Sequence, residues 1–82
     1  VPYQASQTLA ADLTAGTVNL NALDPLPVNQ QCVQVNINGH FLKYGSEFTV
    51  NAGTGVITLD RAEIGYNVLT TYSINISWQG VS

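Results

Sequence analysis

The strongest constraint on this chain is an alternation of apolar and polar side chains that runs directly into an Asn-Gly pair. Apolar side chains occupy every second position from Val33 to Ile37, and polar ones lie between them. Side chains two positions apart share one face of a strand, so the pattern predicts a strand with one buried face. Asn38 and Gly39 follow at once, and both tolerate the positive φ angles of a type I′ turn. The pair therefore predicts an antiparallel hairpin.

The rest of the second half repeats this arrangement in short runs separated by turn residues. Strands are predicted at residues 40–44, 48–50, 56–59 and 68–78, with turns at residues 45–46 and 51–55. The last strand is the longest, because large apolar side chains occupy most even positions from Val68 to Trp78. About ten residues are enough to cross a whole sandwich. Asp60 and Gly65 are predicted to cap one helical turn at its start and end.

The first third is less regular but fits the same fold. Val18 and Leu20 alternate with polar residues and predict another strand, while residues 7–13 fit either an edge strand, which we prefer, or one amphipathic turn. Pro25 and Pro27 exclude a central strand between them. Six to seven short strands at this spacing predict an all-β fold, as a small antiparallel β-sandwich or barrel. With no repeat or boundary, residues 1–82 are predicted to form a single domain.

The scarcity of charge excludes several functions. Charged residues make up 9% of the chain, against roughly 25% in an ordinary soluble domain. The only basic residues, Lys43 and Arg61, cannot line a phosphate backbone, which excludes a nucleic-acid partner. The same shortage of basic residues argues against docking on an anionic membrane. No apolar run approaches the roughly 20 residues of a spanning helix. Asn, Gln, Thr and Ser supply 27 of the 82 residues, so we expect an uncharged polar surface.

The residues that could carry catalysis are few. His40 is the only histidine and follows the Asn-Gly turn, so it is interpreted as an exposed hairpin residue. A catalytic role would need an acidic partner from a distant loop, such as Asp60 or Glu63, and the spacing supports none. Turn formation and capping explain the carboxylates better than calcium binding does, because no calcium-loop spacing is present. We therefore predict no enzyme, no cofactor and no metal site.

The cysteine and the aromatic residues give equally plain interpretations. Cys32 is the only cysteine, so no internal disulfide is possible, and synthesis in a reducing cytoplasm is expected. It flanks the alternating run of residues 33–37 and is interpreted as a small strand residue; a reactive thiol is not expected, because no cationic residue neighbours it in the sequence. Tyr72 and Trp78 are assigned to the core. If two of the three remaining tyrosines were exposed side by side, carbohydrate binding would become plausible; these are Tyr3, Tyr44 and Tyr66.

One stretch resembles a known family. Residues 35–50 read VNINGHFLKYGSEFTV, residues 53–59 read GTGVITL, and the final predicted strand contains Tyr72. This order of Asn-Gly turn, short strand with glycine, acidic-aromatic-Thr-Val strand, Gly-rich turn and Ile-Thr-Leu strand resembles a recurrent module of tailed-bacteriophage virion proteins. Residues 33–78, about half of the chain, carry the resemblance.

The resemblance implies a fold and a structural role. Proteins with this module include capsid decoration (cement) proteins, head fibres, and pieces of tail fibres and baseplates. It implies an immunoglobulin-like sandwich, no catalysis, and a chain made in the host cytoplasm that becomes part of the virion. The size of the chain favours a decoration protein that binds the major capsid protein on the capsid surface, as a homo-oligomer or as neighbouring copies. A tail-fibre or baseplate module is the alternative, followed by a carbohydrate-binding adhesion domain.

The irregular segments are the predicted contact surface. Residues 1–6 are expected to form a short N-terminal arm on a neighbouring molecule, because a terminal polar segment gains order only by docking. Residues 21–30 form a long proline-containing loop whose apolar side chains need cover. The candidate interface residues are Val1, Pro2, Tyr3, Leu23, Pro25 and Leu26.

Overall fold

The protein is mostly β, with two antiparallel sheets, in a computed structural model that describes residues 2–81. The strands are β1 (Pro2–Gln7), β2 (Thr17–Asn19), β3 (Gln34–Ile37), β4 (His40–Phe41), β5 (Phe48–Val50), β6 (Ile57–Asp60) and β7 (Ile74–Gln79). A 3₁₀ turn at Gln30–Cys32 precedes β3, and one helical turn, α1 (Arg61–Ile64), follows β6. The first sheet has the order β1-β7-β3-β4 and the second the order β2-β6-β5. The predicted all-β character and strand number are confirmed.

Both sheets turn alternate side chains into one apolar core. In the first sheet the register pairs Val35 with Ile76, and in the second it pairs Phe48 with Leu59. All four side chains are almost fully buried and belong to a single cluster. Among residues 2–81 no polar or charged residue is buried with them. The period of two read from the sequence therefore decides which face of each strand is covered.

The structure confirms the predicted hairpin turn at Asn38 and Gly39 and the predicted caps of α1. Asn38 has φ 53° and Gly39 has φ 87°, so both adopt the left-handed backbone that the hairpin requires. Asp60 caps α1 by accepting a hydrogen bond from the Ala62 amide at 3.0 Å, and Gly65 ends the turn with φ 88°. In the described part of the chain, no helix has the length and apolar character needed to cross a membrane.

Three strand predictions are wrong in extent. The last strand begins only at Ile74, because the chain turns between Leu69 and Tyr72, where the Tyr72 amide donates to the Leu69 carbonyl at 3.0 Å. Val68 instead forms an isolated bridge with Leu13, the one residue of 8–13 that pairs in a sheet. The predicted strand at residues 40–44 shortens to β4. The alternation of apolar and polar residues does not reveal such turns, because a turn can also direct its apolar side chains inward.

The expected N-terminal arm is wrong for residues 2–6. These residues belong to β1, which pairs along its whole length with β7 in the chain's own sheet. The side chains of β1 alternate between exposed and half-buried, and the Tyr3 ring stacks on Trp78 with a centroid separation of 5.7 Å. Packing against Trp78 supplies the apolar contact that an arm would have needed from a neighbour. Val1 lies outside the described residues, and the single domain stays a prediction.

The Gln7 side chain at the end of β1 forms two hydrogen bonds with the Asn21 backbone, one as acceptor and one as donor. The Gln7 amide oxygen accepts from the Asn21 backbone N–H at 2.8 Å, and the Gln7 amide nitrogen donates to the Asn21 carbonyl at 3.1 Å. Gln7 ends a strand of the first sheet, and Asn21 lies two residues after β2 of the second. The reciprocal pair therefore links the two sheets at their edges.

Candidate functional site

The outer face of the first sheet forms an uncharged depression. Because β3 and β7 bury one set of alternate side chains and β1 half-buries its own, the other set shares the opposite face, which Phe41 of the exposed strand β4 extends. The register arranges this set in two rows across the strands, and we call the seven residues the amide face. They line a depression of about 680 Å³. One row contains Gln4, Ser77 and Gln34, and the other contains Ser6, Asn75, Asn36 and Phe41.

Internal hydrogen bonds orient three amides of this face. The Ser6 hydroxyl donates to the Asn75 side-chain oxygen at 2.8 Å, and the Gly39 N–H donates to the Asn36 side-chain oxygen at 2.8 Å. The Ser77 hydroxyl approaches the Gln34 side-chain oxygen in the same way at 3.5 Å. Each of these carbonyl oxygens thereby faces one donor and keeps a second lone pair, whereas no hydrogen bond within residues 2–81 uses the three NH₂ groups. The face presents oriented donors to a ligand.

An exposed aromatic ring borders these amides. Phe41 is 64% exposed and lies on β4, the short edge strand of the first sheet, opposite Asn36. It lines the depression together with the amide residues. An exposed phenylalanine offers an apolar surface with a negative π face, which attracts weakly positive C–H groups. The amide face therefore combines hydrogen-bond donors with one stacking surface.

A second exposed surface is apolar and adjoins the amide face. The Val28 N–H donates to the Gln79 carbonyl at 2.8 Å, and the Val81 N–H donates to the Leu26 carbonyl at 3.0 Å. This register puts Leu26, Val28 and Val81 on one side, opposite the buried Pro27–Gly80 bridge. Val28 is 53% and Val81 61% exposed. We call Pro2, Leu26, Val28 and Val81 the apolar end, since Pro2 pairs with Gln79 from the other side.

The predicted interface residues divide between surface and core. The structure brings Tyr3 and Pro25 together around Gly80, where an added Cβ would meet both rings. The Pro25 carbonyl also accepts from the Trp78 indole N–H at 2.9 Å. Leu23 is the correction: it is buried in the chain's own core, and its N–H donates to Gly55 at 2.9 Å. Pro2 is exposed, Leu26 is half-buried, and Val1 lies outside the described residues.

His40 lies beside an acidic partner that the sequence reasoning did not name. Its Nε2 is 3.5 Å from a Glu47 carboxylate oxygen, and its ring meets the Tyr66 ring edge-on at 5.7 Å. His40 is exposed, as predicted. The Tyr66 hydroxyl is buried and has no hydrogen-bond partner within the described residues. Burial, followed by the nearby charges of Glu47 and Tyr72, raises the pKa of Tyr66 above its usual 10.0.

Replacing Tyr66 with phenylalanine is expected to stabilise the protein at neutral pH by about 1 kcal/mol. The hydroxyl loses hydration on folding without gaining a bond, and an unmet hydroxyl costs on the order of 1–3 kcal/mol. Urea unfolding at pH 7 measures the change. Above pH 10 the gain should increase, because Tyr66 ionises first in the unfolded wild-type chain and ionisation then favours unfolding. A loss of stability in Y66F at pH 7 would contradict this account of the hydroxyl.

The cysteine and the carboxylates form no further cluster in the described residues. Cys32 is half-buried in the 3₁₀ turn rather than in a strand, and its thiol lies 3.1 Å from the Asn29 carbonyl oxygen. The turn begins there because the Asn29 side chain accepts from the Cys32 N–H at 2.9 Å. Within residues 2–81, no three His, Cys, Asp or Glu side chains gather closely enough to hold a metal ion.

The chain matches no family model, no curated protein and no solved structure. The amide face must therefore be interpreted from its own geometry. Sequence reasoning missed it, although the polar positions of β3 and β7 were visible in the alternation. The sequence did not show which strands pair with each other in the sheet. The position of β1 beside β7 places Gln4 and Ser6 in the same rows as Ser77 and Asn75.

Proposed function

We propose that the chain is a non-enzymatic structural protein of a tailed-bacteriophage virion. It binds the major capsid protein on the outer surface of the head and stabilises the shell by bridging coat subunits, as neighbouring copies or a homo-oligomer. Its two antiparallel sheets are proposed to form an immunoglobulin-like sandwich, the arrangement that the resemblance of residues 33–78 implies.

The apolar end is the observation that supports a binding role best. Of the three large apolar side chains that are most exposed in residues 2–81, Val28 and Val81 lie there together. Contiguous apolar groups with polar surroundings are typical of protein contact sites. Leu26 lies opposite Val81, and Pro2 lies across Gln79 from Val28; both Leu26 and Pro2 were predicted as interface residues. We propose that this surface contacts the coat protein.

The low charge of the chain supports close packing on a lattice. With two basic and five acidic residues, the formal net charge is only −3. Repulsion between neighbouring copies is then weak, and it is screened further within about 10 Å at ordinary ionic strength. Copies can therefore lie side by side on a capsid without a large electrostatic cost.

Undecorated phage heads provide the test. The purified chain should bind them saturably and raise the temperature at which they release DNA. Introducing V28D and V81D together should weaken binding about tenfold or more, because each buried valine contributes about 1.5 kcal/mol and tenfold is about 1.4 kcal/mol. A52D with T71D supplies the matched control, since both positions are exposed, lie outside the apolar end, and add the same charge.

Three outcomes count against the proposal. Absence of saturable binding to heads rejects the decoration role. Equal loss of binding in both double variants rejects the apolar end as the contact. A copy number of only a few per particle, measured by gel densitometry, would instead favour a tail-fibre or baseplate module.

A further inference from the structure

We infer that the amide face binds a neutral oligosaccharide, in a site separate from the apolar end. The face has a depression of about 680 Å³, within the range of roughly 300–1,000 Å³ that small-molecule sites occupy. It is open along the sheet, because the seven residues lie in two rows across four strands. A chain of sugar units can lie along such rows and exceed the depression at either end. This inference does not depend on the capsid proposal.

The hydrogen-bonding pattern matches sugar hydroxyls. The NH₂ groups of Gln34, Asn36 and Asn75 are donors, while the hydroxyls of Ser6 and Ser77 donate inward and keep lone pairs that can accept. A sugar hydroxyl both donates and accepts, so it can bridge an amide nitrogen and a neighbouring serine oxygen. Because the serine and backbone hydrogen bonds already fix the amides, little side-chain freedom is lost on binding.

The exposed ring explains how a sugar could be held from one side. Phe41 lies opposite Asn36 at the end of one row, and its ring is mostly accessible. The C–H groups of a pyranose ring can stack on an aromatic π face while its hydroxyls reach the amides. The same sugar would therefore receive hydrogen bonds from the amides along the strands and stack on the Phe41 ring at the sheet edge.

Other ligand classes fit this face less well. An anionic ligand would meet no basic side chain among the seven residues and would approach a chain of net charge −3. Protein interfaces concentrate Tyr, Trp, Phe, Met and Arg in their centre, and of these the amide face contains only Phe41, which lies on the edge strand. Nucleic acid needs phosphate-binding cations, which are also missing from the face.

Substitutions that exchange an amide for a carboxylate give a sharp test. N75D keeps an oxygen that can accept from Ser6, replaces the NH₂ donor with a second acceptor oxygen, and adds one negative charge. N67D is the matched control, because Asn67 is exposed outside the face and its oxygen accepts from Arg61 at 2.7 Å. F41L keeps an apolar side chain and removes the π face. The three variants should therefore fold like the wild type while differing in sugar binding.

The measurement is a titration of the ¹⁵N-labelled 82-residue chain, followed by amide chemical shifts. The probes are hexasaccharides of α-1,4-glucose, β-1,4-glucose, mannose and N-acetylglucosamine at up to about 10 mM, enough to detect millimolar affinity. We expect at least one to shift residues of β1, β3 and β7 on the amide face. N75D and F41L should each weaken that binding about fivefold or more, and N67D less than twofold.

The result can overturn the inference without touching the capsid proposal. If none of the four hexasaccharides shifts the amide face, or if N67D and N75D lose affinity equally, the sugar site is rejected. If N75D abolishes binding to phage heads, the amide face belongs to the coat-protein contact and the sugar assignment is again rejected. Head binding that persists in N75D, with sugar binding lost, supports two separate sites.

Discussion

Replacing Phe48 with alanine is expected to lower the free energy of unfolding by about 3–5 kcal/mol. Phe48 lies on β5, is 1% exposed, and pairs with Leu59 in the centre of the second sheet. Its ring also meets the Tyr44 ring edge-on at 5.7 Å. Truncation removes the apolar burial and leaves a cavity that the two sheets cannot close. Small domains are stable by only about 5–15 kcal/mol, so much of the margin would be lost.

Phe41 supplies the control, because it is the only other phenylalanine and has the opposite environment. It is 64% exposed, so F41A should change the free energy of unfolding by only about 0.5 kcal/mol. Urea unfolding followed by Trp78 fluorescence measures both variants, since Trp78 is buried in the core. Equal destabilisation by F41A and F48A would show that the face assignment of β4 or β5 is wrong.

Replacing Gly55 with alanine is expected to destabilise the protein by about 2–5 kcal/mol. Gly55 has φ 75°, a conformation that costs an L residue roughly 1–2 kcal/mol. A Cβ at this position would also lie 2.9 Å from the Leu23 carbonyl oxygen and 3.0 Å from the Leu26 side chain. Relieving that contact must move backbone, and overpacking of this kind costs about 1–3 kcal/mol more. The hydrogen bond from the Leu23 N–H to the Gly55 carbonyl would be strained by the same shift.

Gly53 provides a control in the same turn. It has no positive φ, and an added Cβ would meet only the Asn51 side chain at 3.4 Å, an ordinary contact distance. G53A should therefore lie within about 0.5 kcal/mol of the wild type. Thermal unfolding of the two single variants distinguishes them. If G53A were the more damaging change, the close approach between the turn and residues 23–26 would be refuted.

The sequence predicted the local structure of this fold better than its pairing. The hairpin at Asn38 and the cap at Asp60 depend on residues within three or four positions, and both were found as expected. The extent of the last strand was not, because the turn at residues 69–72 is stabilised from elsewhere: the Thr70 N–H donates to the Asp12 side chain at 2.8 Å. Asp12 lies 58 positions before Thr70, so the sequence pattern around the turn does not reveal this hydrogen bond.

The same limit applies to the candidate sites. Pro2, Pro25 and Leu26 were chosen as irregular apolar positions, and the structure places all three around the end of β7. Leu23 looked equivalent in sequence but is covered by the core, since the turn at Gly55 closes over it. The amide face required the register between strands, which composition and alternation do not encode.

The link between Gln7 and Asn21 bears on how a weakly charged chain can occupy exposed backbone groups at a sheet edge. An unpaired strand edge can template pairing with another molecule, and proteins often block it with lysine or other charges. This chain has few charges to use. Gln7 instead offers both groups of its amide to the Asn21 backbone, so the peptide group there is already occupied when another strand approaches. At this position the sheet edge is protected by hydrogen-bond saturation, which salt does not screen as it screens charge.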